Sequence, residues 1–203
     1  MSSNSRPPIL STKGVLFMTN TTAKQTGSFR HTKFDVGGLH RLHRVLEMQE
    51  AVDARGKASL VVSGGSTPLK LFQLLSMKSI DWSDVYITLA DERWVEADAD
   101  ASNERLVREH LLQNRAANAK FRGLKNMFST AEAGADMAAE SLSNFPRPFD
   151  VVVLGMGNDG HTCSWFPCSA ELEHALTTQA LCVATNPTTA PHGRITLSKS
   201  AIL

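Results

Sequence analysis

Asp150–Pro167 reads DVVVLGMGNDGHTCSWFP, and this stretch decides the fold. Asp150 to Leu154 is short, β-branched and free of charge after its first residue, the pattern of a strand buried on both faces. Gly155, Gly157 and Gly160 follow, and without a Cβ they let the backbone turn sharply and approach a ligand. Asp159 and His161 then set a carboxylate and an imidazole at the carboxyl end of the strand, where open parallel sheets build their sites. Packing alone does not explain a loop so poor in bulk and so rich in proton-transfer groups. It reads as an active site.

The loop also spells Gly-x-Gly-x-x-Gly, the dinucleotide fingerprint. That motif needs an acidic residue about 20 positions on, closing the next strand. The next apolar run, Ala180–Thr185, leads instead into Asn186, and the motif stands late in the chain rather than in its first βαβ unit. No cofactor is expected. Cys163 and Cys168 beside His161 raise the question of zinc, but His-x-Cys-x4-Cys lacks a fourth ligand at a familiar spacing. The cysteines read as small hydrophobes, and no metal is expected.

Outward from the loop, β-rich apolar runs recur at Ala58–Ser63, Val85–Ala90, Ala180–Thr185 and Ile195–Ser198. Between them lie helical stretches. Leu39–Ala54 has apolar residues at roughly 3.6 spacing, Pro68–Leu75 opens with a proline suited to a first turn, Ser102–Leu112 starts with a candidate cap, and Ala131–Leu142 is alanine-rich. Strands alternating with helices predict an α/β fold with a mainly parallel sheet.

Two further strand ends carry chemistry. In Leu60–Leu69, LVVSGGSTPL, the amides of Gly64 and Gly65, the hydroxyls of Ser66 and Thr67 and the start of a helix together make an anion site. The bland alternative is a tight turn with Ser66 or Thr67 as cap. No Gly-Lys-Ser/Thr follows, so it is not a Walker loop. In Val85–Val95, VYITLADERWV, Arg93 can hold a phosphate or carboxylate or steady an oxyanion. Asp91 and Glu92 read as caps or as partners of Arg93 and His161, with the structural role favoured for Glu92. Ser102 before Asn103 reads as a plain cap, and Arg194 stands at the start of the final strand.

The 203 residues suggest a single α/β domain over 31–203, preceded by a poorly structured extension, 1–30, in which Met1 and Met18 are alternative starts. With 21 Lys+Arg against 20 Asp+Glu, no nucleic-acid field is implied. No apolar run approaches the ~20 residues of a membrane span. Three cysteines give no even disulfide framework, which fits a reducing compartment and a cytoplasmic location.

Ser63–Pro68, Asp91–Val95, Ser102-Asn103, Gly155–Pro167 and Arg194-Ile195-Thr196 occur in the order that resembles the 6-phosphogluconolactonases, over roughly residues 34–203. The resemblance implies the fold of glucosamine-6-phosphate deaminase and ribose-5-phosphate isomerase. It also implies hydrolysis of 6-phospho-D-glucono-1,5-lactone in the pentose phosphate pathway without a metal. His161 falls on the family's general base. Asp159 and Arg93 join it as catalytic residues, with Gly64, Gly65, Ser66, Thr67, Asn103, Gly157, Gly160 and Arg194 around the phosphorylated lactone. Ser164-Trp165-Phe166-Pro167 matches the lactonase form rather than the Asn-Glu form of the deaminases. Cys168 and Trp165 depart from the usual pattern. The chain also ends before a strand and helix that such proteins usually carry, so it is expected to be C-terminally incomplete. An amino-sugar phosphate deaminase or isomerase, or an inactive sugar-phosphate-binding protein, are the alternatives, and oligomeric state is left open.

Overall fold

A computed structural model describes residues 14–19 and 46–203. Its order is β1 (Gly14–Thr19), α1 (Leu46–Arg55), β2 (Ala58–Val62), α2 (Leu69–Ser76), β3 (Val85–Leu89), β4 (Asp91–Arg93), α3 (Asn103–His110) and β5 (Lys120–Arg122). Then follow α4 (Ala131–Ser141), β6 (Val151–Met156), α5 (Leu172–Thr177), β7 (Cys182–Thr185), β8 (Arg194–Leu197) and α6 (Lys199–Ile202).

The main sheet has the order β1-β6-β2-β3-β5. Strands β6, β2, β3 and β5 run parallel, and β1 lies antiparallel on β6. The mainly parallel α/β architecture is therefore as predicted. Val151–Leu154 and the whole of β2 are buried, because helices cover a parallel sheet and its strands need apolar side chains on both faces. From β2 the chain steps outward through β3 to β5, and β6 then returns to the other side of β2. The crevice between β2 and β6 is a topological switch point, the place where such sheets bind ligands.

Two features differ from the sequence reading. Within the supposedly unstructured 1–30, Gly14–Thr19 form an edge strand, with Met18 opposite Val152; pairing with β6 supplies an order that no local period announces. Of the helix expected over Leu39–Ala54, residues 39–45 lie outside the described residues. The second difference is that the last two strands do not join the parallel sheet. With Asp91–Arg93 they form a separate antiparallel sheet, β4-β8-β7. Three consecutive charged residues carry no strand pattern, yet each pairs with a residue of Arg194–Thr196. Ala90 joins the two sheets. Its N–H donates to Val62 O at 2.8 Å and its carbonyl accepts from Leu197 N at 2.9 Å.

Two buried carboxylates hold this frame. Asp150, at the foot of β6, accepts from Ser59 N at 2.8 Å and Ser59 Oγ at 3.0 Å, and pairs with Arg55. Glu92 accepts the N–H groups of Arg93, Asn103 and Glu104 at 2.7–2.8 Å and the Ser102 hydroxyl at 3.1 Å. It closes the amino end of α3, where free N–H groups need acceptors, while Ser102 Oγ accepts from Arg105 N at 3.2 Å as the cap. Burial pushes the Glu92 carboxyl above its ordinary range, with the backbone donors opposing and Asp91 adding to the rise. The structural reading of Glu92 and the capping role of Ser102 both match.

Candidate active site

A cleft of about 290 Å³ opens at the carboxyl ends of β2, β3 and β6. Its volume lies just below the roughly 300–1,000 Å³ typical of small-ligand sites. One wall is the loop Ser63–Thr67, and the facing wall is Gly155–Asn158 with His161. Asp91, Arg93, Asn103, Cys163 and Arg194 complete the lining.

Ser63 leaves β2 with its N–H on Val153 O at 2.9 Å, so the loop starts locked to β6. Gly65 turns it with φ of +91°, a region that side chains disfavour. The cap position of α2 falls on Pro68, which makes no side-chain cap hydrogen bond. Neither Ser66 nor Thr67 is the cap residue, and α2 begins directly behind them.

On the opposite wall, Gly157 N donates to His161 O at 2.8 Å and Gly160, with φ of +85°, closes the turn. A Cβ on Gly157 would stand 2.2 Å from the His161 ring. The glycine is what lets the imidazole lie back on the loop. His161 Nδ1 lies 2.5 Å from Asp159 Oδ1. Nδ1 therefore carries the proton, and Nε2 is left as the basic nitrogen. The ring stacks on Phe166 at 3.9 Å and 23°. Asp91 and Glu92, weighed above as partners of His161, are engaged elsewhere.

Two guanidinium groups face this pair. Arg93 donates from Nη1 to Ala101 O at 2.6 Å, and Arg194, 6% exposed, donates from Nη2 to Pro191 O at 3.3 Å. Arg194 also lies over the Phe166 ring, 5.6 Å from its centroid. Burial lowers the Arg194 pKa, with Asp91 opposing and Arg93 adding to the effect. Both Nε atoms are buried without a hydrogen-bond partner, as are Ser63 Oγ and Asn103 Oδ1. Unpaired buried polar atoms are costly, and four of them converge on one cleft. The two Nε donors suit an anion. Asn103 commits Nδ2 to Asp91 O at 2.8 Å, which leaves an acceptor suited to a hydroxyl rather than a phosphate oxygen.

The structure thus gathers Arg93, Gly64, Gly65, Ser66, Thr67, Asn103, Gly157, His161 and Arg194 around one cleft. Asp159 and Gly160 stand just behind it, shaping His161. The sequence reading missed Ser63, Asp91, Met156, Asn158 and Cys163 as lining residues. Asp91 had a visible signal, its place at a strand end beside Arg93. Among the described residues, no group of three or more His, Cys, Asp and Glu side chains could hold a metal ion. No described helix is long and apolar enough to cross a membrane.

Residues 41–203 match the family described as glucosamine-6-phosphate isomerases/6-phosphogluconolactonase. The chain belongs to this family. A 6-phosphogluconolactonase of Rhizobium meliloti (strain 1021) is 50% identical over 147 residues, covering 72% of this chain and 59% of the relative. One from Pseudomonas aeruginosa is 42% identical over 157 residues, covering 76% of this chain and 66% of the relative. The chain therefore spans about three-fifths to two-thirds of the length of these curated relatives. Among solved structures, a 6-phosphogluconolactonase from Shewanella baltica OS155 superposes with a TM-score of 0.80 at 93% identity, covering 80% of this chain and 70% of that one. The fold read from the sequence is the family's, and the matched region begins a little after the expected residue 34.

Proposed function

We propose that this chain carries the lactonase chemistry of its family, the hydrolysis of 6-phospho-D-glucono-1,5-lactone to 6-phospho-D-gluconate in the oxidative pentose phosphate pathway, in the cytoplasm. The observation that carries the reading is the Asp159–His161 pair set opposite an anion-binding loop and two arginines across one small cleft.

Nε2 of His161 takes a proton from water as its oxygen attacks C1 of the lactone. The tetrahedral oxyanion is met by Arg93 and the amides of the glycine loop. The C1–ring oxygen bond then breaks, and His161 returns its proton to the departing oxygen. Asp159 holds the ring in the required tautomer and balances the imidazolium that forms. Ser66, Thr67, the Gly64 and Gly65 amides and Arg194 hold the 6-phosphate, which sets C1 over His161. Asn103 Oδ1 accepts from a sugar hydroxyl. The scheme uses no metal.

Acid release from the phosphorylated lactone, corrected for spontaneous hydrolysis, tests this with His161→Ala beside the unaltered chain. The expected loss is ~10²–10⁴-fold, the usual worth of a general base. Near-normal turnover in folded His161→Ala protein, or ammonia release from glucosamine 6-phosphate in place of lactone hydrolysis, would overturn the reading.

A further inference from the structure

We infer that Ser164 is a positioning residue for His161, bolting the catalytic loop to the antiparallel sheet; this rests on the hydrolase reading above. Ser164 is fully buried, and each of its polar groups goes to a different strand. Its N–H donates to Thr196 Oγ1 on β8 at 3.3 Å. Its hydroxyl donates to Asp91 Oδ2 on β4 at 2.6 Å. Its carbonyl accepts from Thr185 Oγ1 on β7 at 3.3 Å. One serine thus engages all three strands of the second sheet. The other end of the loop leaves β6, in the main sheet, so His161 is carried on a span between two sheets.

The backbone between His161 and Ser164 explains why a bolt is needed. Cys163 takes φ of +51°, a conformation that non-glycine residues hold only when their surroundings over-determine it. This turn sends Ser164 into the interior while His161 faces the cleft. Trp165 adds a tie one position on, its Nε1 donating to Leu197 O at 3.0 Å. The hydroxyl bond to Asp91 is the shortest of the set, as expected when the acceptor is charged. Alanine at position 164 would remove that bond and leave a buried carboxylate oxygen without its donor. The strained turn would relax and the imidazole would drift from the line of attack.

Drift of this kind affects the chemical step more than binding, because Ser66 and Thr67 lie on the loop after β2 and the Arg194 guanidinium is held separately by Pro191 O. In the full chain, Ser164→Ala is expected to lower kcat about 10- to 100-fold, with KM for the phosphorylated lactone changed by no more than about twofold. Thr185→Val, which removes only the donor to the Ser164 carbonyl, should give a smaller loss in the same direction. Amide hydrogen exchange over residues 160–163 should speed up in both variants. Wild-type kcat in folded Ser164→Ala protein, or a loss confined to KM, would overturn the inference. If Ser164→Ala does not fold, Thr185→Val decides by the same two readouts. If the unaltered chain shows no lactone turnover, the hydrolase reading fails by itself. The bolt is then judged by exchange alone, where faster exchange supports it and unchanged exchange overturns it.

Discussion

A single carboxylate oxygen, Oδ1 of Asp159, meets both the His161 ring at 2.5 Å and the His161 backbone N–H at 3.2 Å. Burial works to raise the Asp159 pKa, but the hydrogen bonds from the His161 ring and backbone outweigh it and hold the carboxyl below its ordinary value. A depressed folded pKa contributes stability above the unfolded value and loses it as pH falls through the folded one. The pair should therefore survive mild acid and break only below the usual carboxylate range. In His161→Ala the Asp159 titration, followed by carboxyl-carbon NMR, should move up toward the ordinary carboxylate range. An unchanged midpoint would show that the imidazole does not set it.

Arg194→Ala is expected to raise KM for the phosphorylated lactone far more than for unphosphorylated gluconolactone, since the guanidinium is assigned to a group remote from C1. Some kcat is lost as well if phosphate binding positions the reacting carbon. Arg194→Lys should rescue little, because an ammonium cannot reproduce a planar donor lying over Phe166. Equal weakening of both substrates would remove Arg194 from the phosphate site.

Gly64 and Gly155 make a paired test of the cleft walls. A Cβ on Gly64 would fall 1.8 Å from Asn103 Oδ1, whereas one on Gly155 meets nothing within 4 Å. Gly64→Ala must displace Asn103, which also holds the Asp91 carbonyl. A cost of about 1–3 kcal/mol in stability and a large loss of ligand affinity are expected. Gly155→Ala should melt within about 0.5 kcal/mol of the parent. Thermal melts of the two variants, measured side by side, check the contrast.

The three cysteines should react in a fixed order. Hydrogen bonds from Thr189 and then Thr188 lower the Cys168 thiol to about 7, while burial raises Cys182 to about 12 and drives Cys163 up as well. At neutral pH the nucleophilic thiolate is thus concentrated at Cys168. Brief alkylation with iodoacetamide in the native state, mapped by mass spectrometry, should label Cys168 first. Labelling of Cys163 or Cys182 at a comparable rate would contradict the burial.

What the sequence made legible was local. The apolar runs ending at Val62, Leu89 and Leu154 showed β2, β3 and all but the last two residues of β6, and the residues just beyond them line the cleft. The cap at Ser102 and the glycine-bounded His161 were legible for the same reason, since each depends on neighbours in sequence. The second sheet was not, because β4 is three charged residues whose only evidence of being a strand is its partner, Arg194–Thr196. Ser164 carries no local signal of its role, because its three bonds reach Asp91, Thr185 and Thr196, and no spacing encodes such contacts. The edge strand Gly14–Thr19 was hidden likewise, its order lent by β6.

The return of β6 to the far side of β2 has a consequence for how the protein comes to life. Ser59 and Asp150, which meet at the foot of this pair, are 91 positions apart, while β2, α2 and β3 follow one another directly. Contacts of such long sequence separation raise the contact order, and chains dominated by them fold slowly. The glycine loop after β2 belongs to a unit nearly contiguous in sequence, which is expected to form early. His161 is expected to reach it only when β6 pairs with β2. Recovery of helical signal and assembly of the cleft during refolding are therefore expected to run on two different clocks, the cleft following the slower one.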